Sequence, residues 1–231
     1  MNVLNKSFKA IVIGASGSIG SAFVDALEED PFCEKVIGIH RHSEIAINYH
    51  QPESIAQASQ MLANHGPFQL VIVATGILHS KEWSVEKKLA DLNPSQLQDI
   101  FAINTVGPAL VMKEFSNLMD KNGSSMVILS AKVGSIEDNR LGGWYSYRSS
   151  KAALNMIIKT ASIELKRTKP NVCLIAMHPG TVNSNLSKPF GGESIGQAPE
   201  QAAKMMLNVI RELTPDQSGS FLSYKNEVIP W

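Results

Sequence analysis

Tyr147 and Lys151, four apart in Tyr147-Arg148-Ser149-Ser150-Lys151, can share one side of a helix about 5–6 Å apart. A free phenol gives up its proton only near pH ~10, too high for a base at neutral pH. A neighbouring ammonium favours the phenolate and lowers that value. Tyr147 can then exchange a proton with a carbonyl or hydroxyl oxygen while a hydride moves at the adjacent carbon. Tyr145 stands close by, but no lysine follows it four residues on.

A second chemical feature lies near the start, in Gly14-Ala15-Ser16-Gly17-Ser18-Ile19-Gly20, after a short apolar run and before an amphipathic stretch. Glycines let a backbone turn sharply and approach a pyrophosphate, and a helix start offers free N–H groups and a positive dipole. Gly14, Ser16, Ser18, Ile19 and Gly20 are therefore candidate dinucleotide contacts. The next apolar run ends in His40-Arg41-His42, with no acid between Ile39 and His42. An acid there would suit the ribose hydroxyl of NAD, whereas an arginine suits the 2′-phosphate of NADP. Arg41, with Ser16 adding a hydroxyl, selects NADP(H) over NAD(H).

These groups must be carried by regular elements. Apolar, often β-branched runs at 10–13, 36–39, 70–74, 126–129 and 172–177 read as buried strands, with 45–48 as a weaker sixth. Helical patterns lie at 18–29, 53–64, 95–119, 146–166 and 199–213. Pro199-Glu200 suits a helix start, where proline loses nothing and an acid meets the positive end. Within 95–119, Pro108 has no N–H for the carbonyl of Asn104, which is free to hold a water instead. Regular alternation of strand and helix implies one α/β domain over 1–231, a doubly wound parallel sheet covered by helices on both faces. The Gly-, Ser- and Pro-rich stretch 187–199 reads as a flexible loop over a site.

The bulk numbers are consistent with a small-molecule partner. Hydrophobic residues make up 44%, enough for a sizeable core, and 21 basic residues balance 21 acidic ones. That balance argues against nucleic acid or an anionic membrane, both of which recruit a basic excess. No apolar run reaches spanning length. Cys33 and Cys173 show no disulfide or zinc spacing, and the six histidines suggest no metal site. A cytoplasmic protein is the expectation.

Taken together, the Gly14–Gly20 turn, Ala74-Thr75-Gly76, Asn104-Thr105-Val106-Gly107, Tyr147 with Lys151, and Pro179-Gly180 resemble the short-chain dehydrogenase/reductase superfamily from end to end. Within it the chain is similar to the small carbonyl-reductase-like branch that includes C-factor and Sniffer. The resemblance implies a Rossmann sheet of about seven strands and reversible NADP(H)-linked carbonyl/alcohol chemistry on a small molecule. It implies that Lys151 also binds the nicotinamide ribose and that Asn104 anchors a water leading to Lys151. The backbone at Pro179, Gly180 and Val182 would meet the carboxamide, helped by a hydroxyl that is Ser184 here. Ala74, Thr75 and Gly76 would border the cofactor, and Asn48 stands where the family often has an aspartate against the adenine. A homodimer or homotetramer through the helices at 95–119 and 146–166 is also implied.

The chain departs from the family in one chemical respect. The family's catalytic serine precedes a glycine by three residues, and counting back from Gly134 gives Ala131. Ser130 is adjacent, but neighbouring strand residues point to opposite faces, so a twist at the strand end would be needed to bring it in. Ser130 is the candidate, with Ser135 as the alternative. The Gly17-Ser18 order also differs from the family's turn. An NADP(H)-dependent carbonyl reductase is the first reading. A catalytically weak NADP(H)-binding sensor or scaffold is the second. Trp144, Tyr145 and the 187–199 segment would line an apolar or aromatic substrate pocket, with Leu78 and Trp83 as further candidates.

Overall fold

Apolar runs that alternate with amphipathic stretches leave few arrangements that bury both, and the chain adopts the layered one. In the computed structural model, which describes residues 3–231, the strands are β1 (Phe8–Ile13), β2 (Cys33–Ile39), β3 (Leu70–Val73), β4 (Ser124–Leu129), β5 (Val172–His178) and β6 (Phe221–Ser223). They pair in parallel in the order β2-β1-β3-β4-β5-β6. β3 and β4 are buried at every position, as a central parallel strand covered on both faces must be.

Six strands stand where the resemblance implied about seven. The 45–48 run is not a strand: it makes only single bridges, His40 with Ala46 and Asn48 with Gln51. The Ser43 and Ser54 hydroxyls hold it in turns instead, through the backbone of His40, Ile45 and Asn48. The sixth strand is Phe221–Ser223, only three residues long and fixed by its pairing with β5.

The helices are α1 (Ser18–Glu28), α2 (Glu53–Leu62), α3 (Pro94–Phe101), α4 (Gly107–Phe115), α5 (Tyr145–Thr168), the single turn α6 (Gly192–Ile195) and α7 (Pro199–Glu212). Strand alternation divides the core. Ile11, Ile13 and Val71 face a cluster with residues of α2, α4 and α5, while Ala10, Val12 and Leu70 face α1 and α7. The helix read over 95–119 is broken into α3, a π turn at Ala102–Val106, and α4. Pro108 denies its N–H to the turn, and the Gly107 N–H bonds to the carbonyl of Ala102, five residues back. The 187–199 segment contains a short 3₁₀ turn at Lys188–Phe190 and α6.

The chain runs from β1 outward to β2 and then crosses to β3 on the other side of β1. That reversal opens a crevice beyond the carboxyl ends of β1 and β3, where ligands of such sheets bind. No helix among the described residues is long and apolar enough to cross a membrane.

Candidate active site

The glycine turn closes the β1 end of this crevice. Gly14 has φ +91°, and a side-chain carbon there would lie 2.9 Å from Thr75 Cγ2 and 3.0 Å from the Ala74 carbonyl carbon. A carbon on Gly20 would collide with the Gly14 carbonyl oxygen. Both glycines are thus required by packing alone. Gly17 is different: its surroundings accept a carbon at 3.4 Å from the Gly14 carbonyl oxygen. It caps α1 without any side-chain hydrogen bond, so the first amides of this helix carry no internal cap. Ser16 and Ser18 are exposed there, Ile19 is half-buried and Gly20 is buried.

The middle of the crevice gathers the predicted relay. Asn104 lies fully buried in the π turn; its Oδ1 accepts the Ile77 N–H at 2.8 Å, and its Nδ2 donates to the Ile77 carbonyl at 2.8 Å and to Ser150 Oγ at 3.1 Å. Thr105 Oγ1 donates to the Ser150 carbonyl at 2.8 Å. The loop after β3 is thereby pinned to α5. A carbon on Gly76 would sit 3.4 Å from Asn104 Oδ1 and 3.5 Å from Lys151 Nζ, so these three residues meet. Thr75 Oγ1 and the Tyr49 hydroxyl lie 3.0 Å apart, with Tyr49 packed on Gly107.

Tyr147 and Lys151 occupy one side of α5, the ammonium 6.0 Å from the ring centre. Lys151 Nζ donates to the Leu129 carbonyl at 3.0 Å. Burial pushes the Lys151 ammonium down to about 8 and the Tyr147 phenol up to about 12. The expectation that the lysine depresses the tyrosine is thus reversed in the free site, because withdrawal from water opposes both charges. The phenol is a protonated acid at neutral pH.

The end of β4 separates the two serine candidates from the tyrosine. Ser130 Oγ donates to Asn155 Oδ1 at 2.6 Å, both buried. Ala131 packs instead into the small cluster around Tyr147. Just beyond the last strand residue, Leu129, the two neighbours thus part: Ser130 bonds to Asn155 while Ala131 meets the Tyr147 cluster. Ser135 turns to the C-terminus, its hydroxyl donating to the Trp231 carbonyl at 3.3 Å.

Around Tyr147 the walls are apolar: Leu78, Val85, Trp144, Leu186 and Phe190 join Ala131. The Trp144 and Phe190 rings lie 4.9 Å apart, and Trp144 meets Tyr147 edge-on at 6.3 Å. Trp144 and Leu78 thus stand where the sequence suggested, whereas Tyr145 and Trp83 are not part of this cluster. His79 also faces Phe190, at 5.9 Å between rings, and its buried Nε2 has no partner. Its sequence signal was only its nearness to Gly76.

The remaining candidates are spread along the crevice. Arg41 is exposed beyond β2. Asn48 Oδ1 accepts the His50 N–H at 3.1 Å in a local turn. After β5, the Pro179 carbonyl accepts from Gln197 Nε2 at 2.9 Å, and Gly180 has φ +78° with Tyr224 close behind it. Val182 is buried, and Ser184 Oγ lies 3.3 Å from Ser187 Oγ. Among the described residues, no three His, Cys, Asp or Glu side chains gather as metal ligands.

A family model described as short chain dehydrogenase matches residues 9–193. The chain is 39% identical over 129 residues to the 1-hydroxy-2-glutathionyl-2-methyl-3-butene dehydrogenase of Rhodococcus sp. (strain AD45), a match covering 56% of each chain. The chain therefore spans little more than half the length of that relative. It is 30% identical over 167 residues to C-signal of Myxococcus xanthus, covering 72% of this chain and 94% of that one. Among solved structures, the NADPH bound carbonyl reductase from chicken fatty liver superposes with a TM-score of 0.83 at 22% identity, covering 98% of this chain and 95% of the other. The carbonyl reductase Sniffer of D. melanogaster gives 0.83 at 21% identity, covering 98% and 100%.

Proposed function

The chain belongs to the short chain dehydrogenase family, and from that premise we propose that it moves a hydride between NADP(H) and the carbonyl or alcohol carbon of a small, largely apolar molecule. The observation that carries this reading is the meeting of buried Asn104 and Lys151 at Gly76, with the ammonium 6.0 Å from the Tyr147 ring centre. The uncapped start of α1 above two packing-enforced glycines fits a pyrophosphate. On this reading Gly14, Ser16, Ser18, Ile19 and Gly20 hold the pyrophosphate, Arg41 the 2′-phosphate and Asn48 the adenine. Ala74, Thr75 and Gly76 border the ribose held by Lys151, and Pro179, Gly180, Val182 and Ser184 hold the nicotinamide end. When bound, NADPH supplies the hydride.

Tyr147 does the acid–base work. Its phenol, kept protonated by burial, is in the form that a carbonyl oxygen needs as it gains negative charge during reduction. Asn104 fixes the loop at Ile77 and leaves its own carbonyl, deprived of the Pro108 N–H, to anchor the water leading to Lys151. The apolar walls select an apolar or aromatic substrate. The name of the Rhodococcus relative specifies an alcohol, the same class of reacting group. The protein works in the cytoplasm as a homodimer or homotetramer on this reading, and exposed Val106, Met156 and Ile163 support such pairing.

The test is NADPH oxidation with a panel of aromatic aldehydes and ketones, wild type beside Tyr147→Phe. Turnover that vanishes in Tyr147→Phe while NADPH still binds supports the reductase. Ala131 beside Tyr147, with Ser130 held by Asn155, favours a second reading, a sensor that binds NADPH and turns over nothing. Tight NADPH binding without turnover of any carbonyl would select it.

A further inference from the structure

The entry to α5 runs against ordinary backbone preference. Gly142, Gly143 and Trp144 all have positive φ, +63°, +64° and +53°. The first two are glycines, but Trp144 carries a large side chain into a region that L residues rarely adopt. Such a conformation persists only where its surroundings hold it. Trp144 is also the N-cap of α5 and contributes no side-chain hydrogen bond to the helix. A strained residue and a helix start without a cap from its own side chain therefore coincide three residues before Tyr147.

Both are held by one distant residue. Glu86 lies in the irregular segment between β3 and α3 and is 2% exposed. Its main-chain carbonyl accepts the Trp144 N–H at 2.6 Å. Its carboxylate accepts the Ser146 N–H, at 3.3 and 3.4 Å to the two oxygens, and the Ser146 hydroxyl. A buried carboxylate is costly unless its oxygens are bonded, and here they meet donors at the positive end of a 24-residue helix. The segment is itself anchored: Gln96 Nε2 donates to the Ser84 carbonyl at 2.9 Å, and Val85 packs into the Tyr147 cluster. From the other side, Arg148 Nε donates to the carbonyls of Gly142 at 3.2 Å and Gly143 at 3.0 Å.

We propose that Glu86 is a positioning residue for the reaction: it caps α5 from sixty residues away and holds Trp144 in its left-handed conformation. One side chain and its own carbonyl thus fix the acid, Tyr147, and the indole that walls the pocket beside it. An apolar residue would fill the space and leave the helix start and Trp144 unheld. The proposal rests on the reading of Tyr147 as the proton-transfer group.

Two readouts test it. The first is amide hydrogen exchange across residues 142–150 of the whole protein, which needs no substrate. Glu86→Ala is expected to speed exchange roughly tenfold there, the loss of about one net hydrogen bond, and Glu86→Gln, which keeps an acceptor oxygen, to restore most of the protection. The second is kcat with NADPH and a panel of aromatic aldehydes headed by benzaldehyde. Glu86→Ala should lower kcat by about 10²-fold, as small misplacements of reacting groups do, with NADPH affinity within about twofold of wild type and partial rescue by Glu86→Gln. Should Glu86→Ala fail to fold, Glu86→Asp, which withdraws the carboxylate by one methylene, decides on the same readouts. Unchanged exchange, or an unchanged kcat in a protein that Tyr147→Phe inactivates, overturns the proposal while the reductase reading stands. Lost protection in a protein that reduces no carbonyl keeps the cap and overturns the reaction it was assigned to serve.

Discussion

Asn104 grips the Ile77 peptide from both ends, accepting its N–H and donating to its carbonyl, each at 2.8 Å. This pairing ties the loop after β3 to the π turn before α4, and through Ser150 to α5. Asn104→Ala would leave two half-buried backbone groups unpartnered, at up to about 1–3 kcal/mol each. The expected outcome is a loss of about 2–5 kcal/mol in denaturant unfolding, together with loss of turnover. Asn104→Asp keeps the acceptor but sets a buried carboxylate oxygen against the Ile77 carbonyl, so it should be no cheaper than Asn104→Ala. Equal stability of Asn104→Ala and wild type would refute this role.

The buried Lys151 ammonium carries a cost of its own. Its folded pKa is lowered from 10.5 to about 8 by burial. Below pH 8 the folded protein bears the full penalty of a charged, buried group. Between pH 8 and 10.5 the unfolded chain holds the proton that the folded one releases, so stability rises with pH there. Lys151→Met removes the penalty and should stabilise the free protein at pH 7 by up to about 3 kcal/mol, less what the Leu129 carbonyl loses with its donor. The advantage should shrink from pH 8 to 10.5 in melts of the two proteins, and the variant should not turn over. Tyr147 acts with the opposite sign: its phenol is raised to about 12, so stability falls between pH 10 and 12.

Ser130 and Ala131 divide structure from chemistry. Ser130→Ala strands Asn155 Oδ1, whose companion Nδ2 is already unpartnered. It should cost about 1–3 kcal/mol of stability and change kcat less than tenfold. Ala131→Ser places a hydroxyl in the Tyr147 cluster, and a donor to the developing oxyanion is worth up to about 10²–10³ in rate. A clear gain in kcat for Ala131→Ser is the expected result. A collapse of kcat in Ser130→Ala with unchanged stability would reverse the assignment.

These residues also mark what was legible in the chain beforehand. Tyr147 with Lys151 and the Gly14–Gly20 turn are local patterns, so spacing alone could single them out, whereas the parting of Ser130 from Ala131 beyond β4 rests on the hydrogen bond to Asn155. Pro108 announced that the helix over 95–119 must change, but the π turn was one of several responses open to it. β6 is three residues long and exists through β5, whereas 45–48 had a strand's pattern and no partner row. Glu86 was silent, because nothing around it in sequence signals a helix start sixty residues later. Long-range partners of this kind are made by the fold.

The glycine turn offers a comparison that separates packing from binding. Gly20→Ala would drive a carbon into the Gly14 carbonyl, so it should destabilise the protein by about 2 kcal/mol or more through backbone overpacking. Gly17 has φ −82° and ψ 158°, a conformation alanine adopts freely, with only a 3.4 Å contact awaiting the new carbon. Gly17→Ala should therefore melt within about 1 kcal/mol of wild type. If a pyrophosphate sits against these amides, the added methyl stands in its path, and NADPH affinity should fall at least tenfold, measured by fluorescence titration. An unchanged melt with weakened binding would assign Gly17 to the ligand and Gly20 to the fold. Unchanged binding in Gly17→Ala would move the pyrophosphate away from the start of α1.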